Sequence, residues 1–205
     1  MAGSILPMVH EERRKRKIPI VFWIHTLGNL VGGAVFGWVL GLLGATFIQP
    51  ALSIWHGLVV LLITGLFALA YSIHELRLFR LVSPQFDWQV PSRWRYTLPP
   101  RLTALLYGLG LGVGVLTRIP LSTFYVAAIW AFLVANPLLS ACCMTIYGLG
   151  RALPLLVISL RSENLKETLQ ITDKLHVAEP VVHILNGMVL CAAGCGLVVT
   201  ALIMN

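Results

Sequence analysis

Charge is nearly excluded from five long stretches of this chain, and that exclusion decides its solvent. Residues 18–47, 52–73 and 181–204 contain no Asp, Glu, Lys or Arg, residues 102–134 contain only Arg118, and residues 138–160 only Arg151. About 20 apolar residues are enough for a helix to cross the hydrocarbon core of a bilayer. Within that core only helices and closed barrels satisfy their own backbone, and runs this long and uniformly apolar are helical. The expected fold is therefore an all-α integral membrane protein with five transmembrane helices, forming one domain over residues 1–205. Composition agrees: 58% of residues are hydrophobic and 11% charged, against roughly 25% charged in soluble domains.

The formal charge of +7 raises nucleic acid as a partner, and the distribution of charge argues against it. Apart from Arg118 and Arg151, every Lys and Arg falls in residues 1–17, 74–101 or 161–180. Those segments alternate with connections near Gln49-Pro50 and Asn136-Pro137 that carry no basic residue. Such asymmetry orients membrane proteins with the basic segments inside. It places the N-terminus in the cytoplasm and the C-terminus outside, in a multi-pass protein of a prokaryotic-type inner or plasma membrane. The 74–101 segment interleaves Arg93 and Arg95 with Trp88, Trp94 and Tyr96, which suits a headgroup layer. The basic run before residue 18 resembles a signal peptide, but the apolar stretch after it exceeds the roughly 7–15 residues of a signal core. It reads as a retained first span. Residues 161–180 read as a short surface helix.

The third stretch, 102–134, is interrupted. Gly108, Gly110, Gly112 and Gly114 lead into Thr117-Arg118-Ile119-Pro120. Proline removes a backbone donor and crowds the preceding turn, so a broken helix is expected near 117–120. Arg118 then lies near the bilayer midplane, where charge is costly and commonly functional. No Asp or Glu falls within a span to pair with it, so its candidate partners are the carbonyls freed by Pro120, the hydroxyls of Thr117, Ser122 or Thr123, water in a cavity, or an acidic group on another molecule. Gly28-x-x-x-Gly32 and Gly33-x-x-x-Gly37 in the first span form faces on which another helix can pack closely.

Two segments echo each other. Ile24-His-Thr-Leu-Gly28 aligns with Ile146-Tyr-Gly-Leu-Gly150, and Ile54-Trp-His-Gly57 with Ile184-Leu-Asn-Gly187. The partners lie three spans apart and so run oppositely, which describes an incomplete inverted repeat of two and three helices. The alignment makes Asn29 and Arg151 counterparts. Either they hydrogen-bond across the pseudo-symmetry axis or they line helix contacts, as His25 also can. No cofactor, metal ligand set or catalytic residue is expected. Cys142, Cys143, Cys191 and Cys195 form no C-x-x-C, and a buried cysteine is usually a small hydrophobe. They are the only thiols available for redox work.

Gly112-Val-Gly-Val-Leu-Thr117-Arg-Ile-Pro120 and Tyr147-Gly-Leu-Gly-Arg-Ala-Leu-Pro154 resemble motifs of the CcdA/DsbD-type family of cytochrome c biogenesis and thiol–disulfide transmembrane proteins. The resemblance covers about residues 18–204. It implies two inverted three-helix units that pass electrons across the membrane between paired cysteines in two broken helices. On this reading the first broken helix is expected to have no counterpart here. The position matching the second cysteine is Ile119, or Arg118 if the register shifts by one, and neither can exchange thiols. The resulting expectation is a non-catalytic subunit, accessory or scaffold protein of a larger membrane complex, with the bilayer and other membrane subunits as partners. A small-solute or anion transporter using the break at Arg118 is one alternative. A thiol–disulfide electron carrier linked to cytochrome c biogenesis is the other.

Overall fold

The computed structural model describes residues 20–51, 56–79, 81, 97–114, 119, 121–161 and 165–204. Arg118, Pro120 and Thr117, the residues expected to mark the break, lie outside that set, as do Trp88, Trp94 and Tyr96. The described residues form six helices and no strand: α1 Ile20–Ala51, α2 His56–Glu75, α3 Pro100–Val113, α4 Thr123–Leu133, α5 Pro137–Arg161 and α6 Leu165–Ile203. Among the described residues, four segments are long and apolar enough to cross a membrane, namely Ile20–Pro50, His56–Glu75, Pro137–Leu155 and His176–Ile203. Many large apolar side chains lie on the outside, where a soluble protein exposes few. Trp23, Val35, Phe47, Val181 and Met188 are exposed, while Asn29, Thr103, Ser72 and Ser140 are fully buried. This is an all-α, multi-pass membrane protein.

The expected broken helix is present as α3 and α4. Their 14 and 11 residues give lengths of about 21 Å and 16 Å, each too short for a hydrocarbon core of about 30 Å. The break opens earlier than proline alone predicts. Gly114 takes φ 76° and ends α3, a left-handed conformation open to glycine and costly elsewhere. Two other expectations need correction. The separate surface helix at 161–180 is instead the start of α6, which runs unbroken through Pro180. And the last residue of α2 is a buried carboxylate, Glu75, where no acidic residue was expected inside a span.

The chain folds into two compact units, and α1, α5 and α6 each contribute to both. The first contains residues 1–33, 86–118 and 145–178. Its center is the α1–α3 crossing. A Cβ on Gly28 would lie 2.6 Å from the Leu105 carbonyl, and one on Gly32 2.5 Å from that of Leu109. Reciprocally, side chains at Gly108 and Gly112 would strike the carbonyls of His25 and Asn29. Two small-residue faces thus bring the backbones into direct contact, as the Gly28-x-x-x-Gly32 spacing implies.

The second unit contains residues 34–85, 119–144 and 179–205. Its core is Ala68 and Tyr71 of α2 with Leu190 of α6, covered by Tyr125 and Val126 of α4. Tyr71 stacks on Tyr125 with ring centroids 5.3 Å apart, and Phe124 stacks on Phe36 at 5.8 Å. Helix α4 is pinned at both ends. His56 Nε2 donates to the Leu133 carbonyl at 2.8 Å, and Thr123 Oγ1 donates to Asn186 Oδ1. His56 and Asn186 are aligned positions of the echoing segments. The turn into α5 forms as its sequence indicates: Ala135 has φ 53°, and Asn136 Oδ1 accepts the N–H groups of Leu138 and Leu139, both at 3.1 Å, an N-cap followed by proline.

Candidate polar site at the helix break

The buried face of α2 runs through Thr64, Ala68, Tyr71, Ser72 and Glu75, steps of three and four that keep one side of a helix together. That periodicity carries Glu75 onto the same face as the core. Helix α2 then stops at once. Arg77 adopts φ 59°, and Leu78 N donates back to the Ile73 carbonyl at 3.1 Å, the reversal that closes many helices.

Glu75 is 2% exposed. Its Oε1 accepts the Ser122 N–H at 2.6 Å, and its Oε2 pairs with His183 Nδ1. The carboxylate therefore ties the start of α4, just past the break, to α6. Its negative charge also sits favourably at the N-terminus of α4. Ser72 Oγ, one turn earlier on α2, donates to the Gly187 carbonyl at 2.7 Å. Gly187 admits this approach, since a Cβ there would lie 2.9 Å from Leu76 and 3.2 Å from Glu75. His183, Asn186 and Gly187 share one face of α6 by their spacing. The site thus comprises Ser72, Glu75, Ser122, Thr123, His183 and Asn186. A carboxylate beside an imidazole can hold and pass a proton. It cannot exchange disulfides.

The remaining sequence candidates fall elsewhere. His25 Nδ1 donates to the Ala104 carbonyl at 3.3 Å, and Asn29 Nδ2 to that of Gly148 at 2.7 Å. Arg151 donates to the Leu111 carbonyl at 3.0 Å, with its guanidinium 6.0 Å from the Tyr147 ring center. All three belong to the first unit and bind backbone carbonyls of facing helices. Asn29 and Arg151 thus reach different helices, α5 and α3. Leu111 lies in the last turn of α3, where its carbonyl also accepts the Gly114 N–H at 3.2 Å and a cation is favoured. Ile119 is 5% exposed. Cys142 and Cys195 are exposed and Cys143 and Cys191 half-buried, all as free thiols. No group of three or more His, Cys, Asp or Glu able to hold a metal occurs among the described residues.

Sequence reasoning missed Glu75 because the apolar run ends at Ile73 and arginines follow soon after. The signal was the continued helical spacing from Ala68 through Tyr71 to Glu75.

Comparison with known proteins places this architecture. The methylamine utilization protein MauF of Paracoccus denitrificans is 31% identical over 182 residues, covering 89% of this chain and 63% of that protein. MauF of Paracoccus versutus is 33% identical over 136 residues, covering 66% and 48%. MauF of Methylorubrum extorquens is 28% identical over 182 residues, covering 88% and 60%. The chain therefore spans between about half and five-eighths of the length of these relatives. No solved structure matches it significantly. The model of the family described as cytochrome c biogenesis protein transmembrane region matches residues 1–189. The chain belongs to that family of membrane proteins, related to cytochrome c biogenesis and thiol–disulfide transfer.

Proposed function

We propose that this chain is a non-catalytic member of its family, serving as a membrane subunit or accessory of a larger complex in a methylamine-utilization type of system. The observation that carries the reading is Ile119. It stands where the family resemblance assigns the thiol of the broken helix, and it is a buried aliphatic side chain with no capacity for electron storage. Ser72, Glu75, Ser122, Thr123 and His183 bond to facing side chains or backbone, which suits a part that holds shape. The system is suggested by the relatives, which are methylamine utilization proteins MauF.

The test replaces Cys142, Cys143, Cys191 and Cys195 together by Ser, and isolates tagged wild-type and variant proteins in mild detergent. Both are expected to retain the same membrane-protein partners and to support growth on methylamine equally in a strain that depends on this gene. A well-inserted cysteine-free protein that no longer supports growth would overturn the proposal in favour of a redox carrier.

A further inference from the structure

We infer that Glu75 and His183 form a proton-binding site that exchanges with the surface through Glu179. The inference is independent of the accessory role proposed above. Glu75 has a side chain 1% exposed, His183 22% and Glu179 53%. The three groups therefore form a graded line from interior to surface. His183 Nδ1 pairs with Glu75 Oε2, and His183 Nε2 faces Glu179 Oε1 at 3.8 Å. Glu179 and His183 are one turn apart on α6, the spacing that places side chains side by side.

The two imidazole nitrogens have separate duties. With Nδ1–H donated to Glu75, only Nε2 is free to gain or lose a proton. The loaded state is an imidazolium beside a carboxylate, so the buried pair carries no net charge. On unloading, the Nε2–H bond breaks and its proton passes to the Glu179 carboxylate, leaving a neutral imidazole still donating through Nδ1. Glu179 then releases that proton to water and returns to its charged form. The 3.8 Å gap exceeds a hydrogen bond and is closed by rotation of the exposed Glu179 side chain or by one water.

The other titratable groups near the pair, among the described residues, do not take over this duty. On α2, His74 uses Nδ1 to accept the Leu81 N–H at 2.9 Å. Tyr71 of α2 and Tyr125 of α4 stack on each other. From α6 the facing group is Glu179 itself. No ion pair links Glu75 to a Lys or Arg among the described residues.

The experiment is nitrogen-15 NMR of histidine-labelled full-length protein in detergent over a pH series, with the His183→Asn spectrum assigning the signal. In wild type, His183 should keep its Nδ1 proton throughout and lose only the Nε2 proton. Glu75→Gln keeps an oxygen for Ser122 but turns an amide NH2 toward Nδ1. The Nδ1 proton should then be lost in the neutral state, moving to Nε2. Glu179→Gln should leave the proton on Nδ1 and slow Nε2–H exchange with water by about tenfold or more. A Glu75→Gln protein whose neutral His183 still carries its proton on Nδ1 overturns the site. Unchanged exchange in Glu179→Gln overturns the exit route, and this second variant decides the matter if Glu75→Gln fails to fold.

Discussion

Glu75 concentrates the consequences of a single substitution. Glu75→Ala leaves the Ser122 N–H and His183 Nδ1 without their acceptor. Removing one partner of a buried pair costs about 3–5 kcal/mol, and the part-exposed His183 puts this case near the lower end. Glu75→Gln retains the bond to Ser122 and should cost about 1–2 kcal/mol. Denaturation in mixed micelles should rank wild type, Gln and Ala in that order; equal stability of Gln and Ala would remove the Ser122 tie from the account. Arg118 carries a different expectation. A central arginine costs about 2.5–3.5 kcal/mol on insertion scales, so Arg118→Leu should insert at least as well as wild type. If the charge serves the complex, that variant should lose partner binding; full assembly would make it a tolerated burden. The two residues also differ in how readable they were. Arg118 stands out because its neighbours are apolar. Glu75 hides because hydropathy averages it with the loop beyond, although helical phase puts it on the buried face.

Among elements, the α1–α3 crossing gives the sharpest contrast. Gly112 faces the Asn29 carbonyl, and an added Cβ would also lie 2.7 Å from Gly33 N. Backbone cannot yield as a side-chain end does, so Gly112→Ala should destabilise by about 1–3 kcal/mol. Gly150 in α5 has nothing within 4 Å of its would-be Cβ. Gly150→Ala should be neutral or stabilise by up to about 1 kcal/mol through helix propensity. Thermal unfolding of the two single variants checks this, and similar melting shifts would show that the crossing is not tight. Spacing exposed the Gly28-x-x-x-Gly32 face, and Pro120 with its glycines exposed the existence of a break. Neither revealed which glycines meet backbone and which meet open space, because that depends on where the partner helix lies. The early end of α3 at Gly114 and the continuity of α6 through Pro180 were hidden for a related reason. A lone glycine or proline signals only local permission, and tertiary packing decides whether the helix uses it.

At the scale of the whole molecule, the open quantity is the number of crossings between the 74–101 segment and the C-terminus. Helix α6 has 39 residues, about 58 Å, nearly twice a hydrocarbon core of about 30 Å. Its apolar part is His176–Ile203, so the turns bearing Lys166 and Lys174 belong outside the hydrocarbon. Those lysines are then held on the side that also holds Arg77 and Arg101, if basic residues face the cytoplasm. That condition requires an even number of crossings between residue 101 and residue 166. Helix α5 supplies one, so the interrupted α3–α4 pair must supply the other, although neither half is long enough alone. A re-entrant hairpin at the break would supply none and would leave Lys166 and Lys174 on the opposite face from Arg101. Reporter fusions after Asn205 and within 74–101 distinguish these cases. We expect opposite sides, with the 74–101 segment cytoplasmic and the C-terminus outside. The same side for both would mean that residues 100–133 enter and leave by one face, with Ser122 and its tie to Glu75 at the turn.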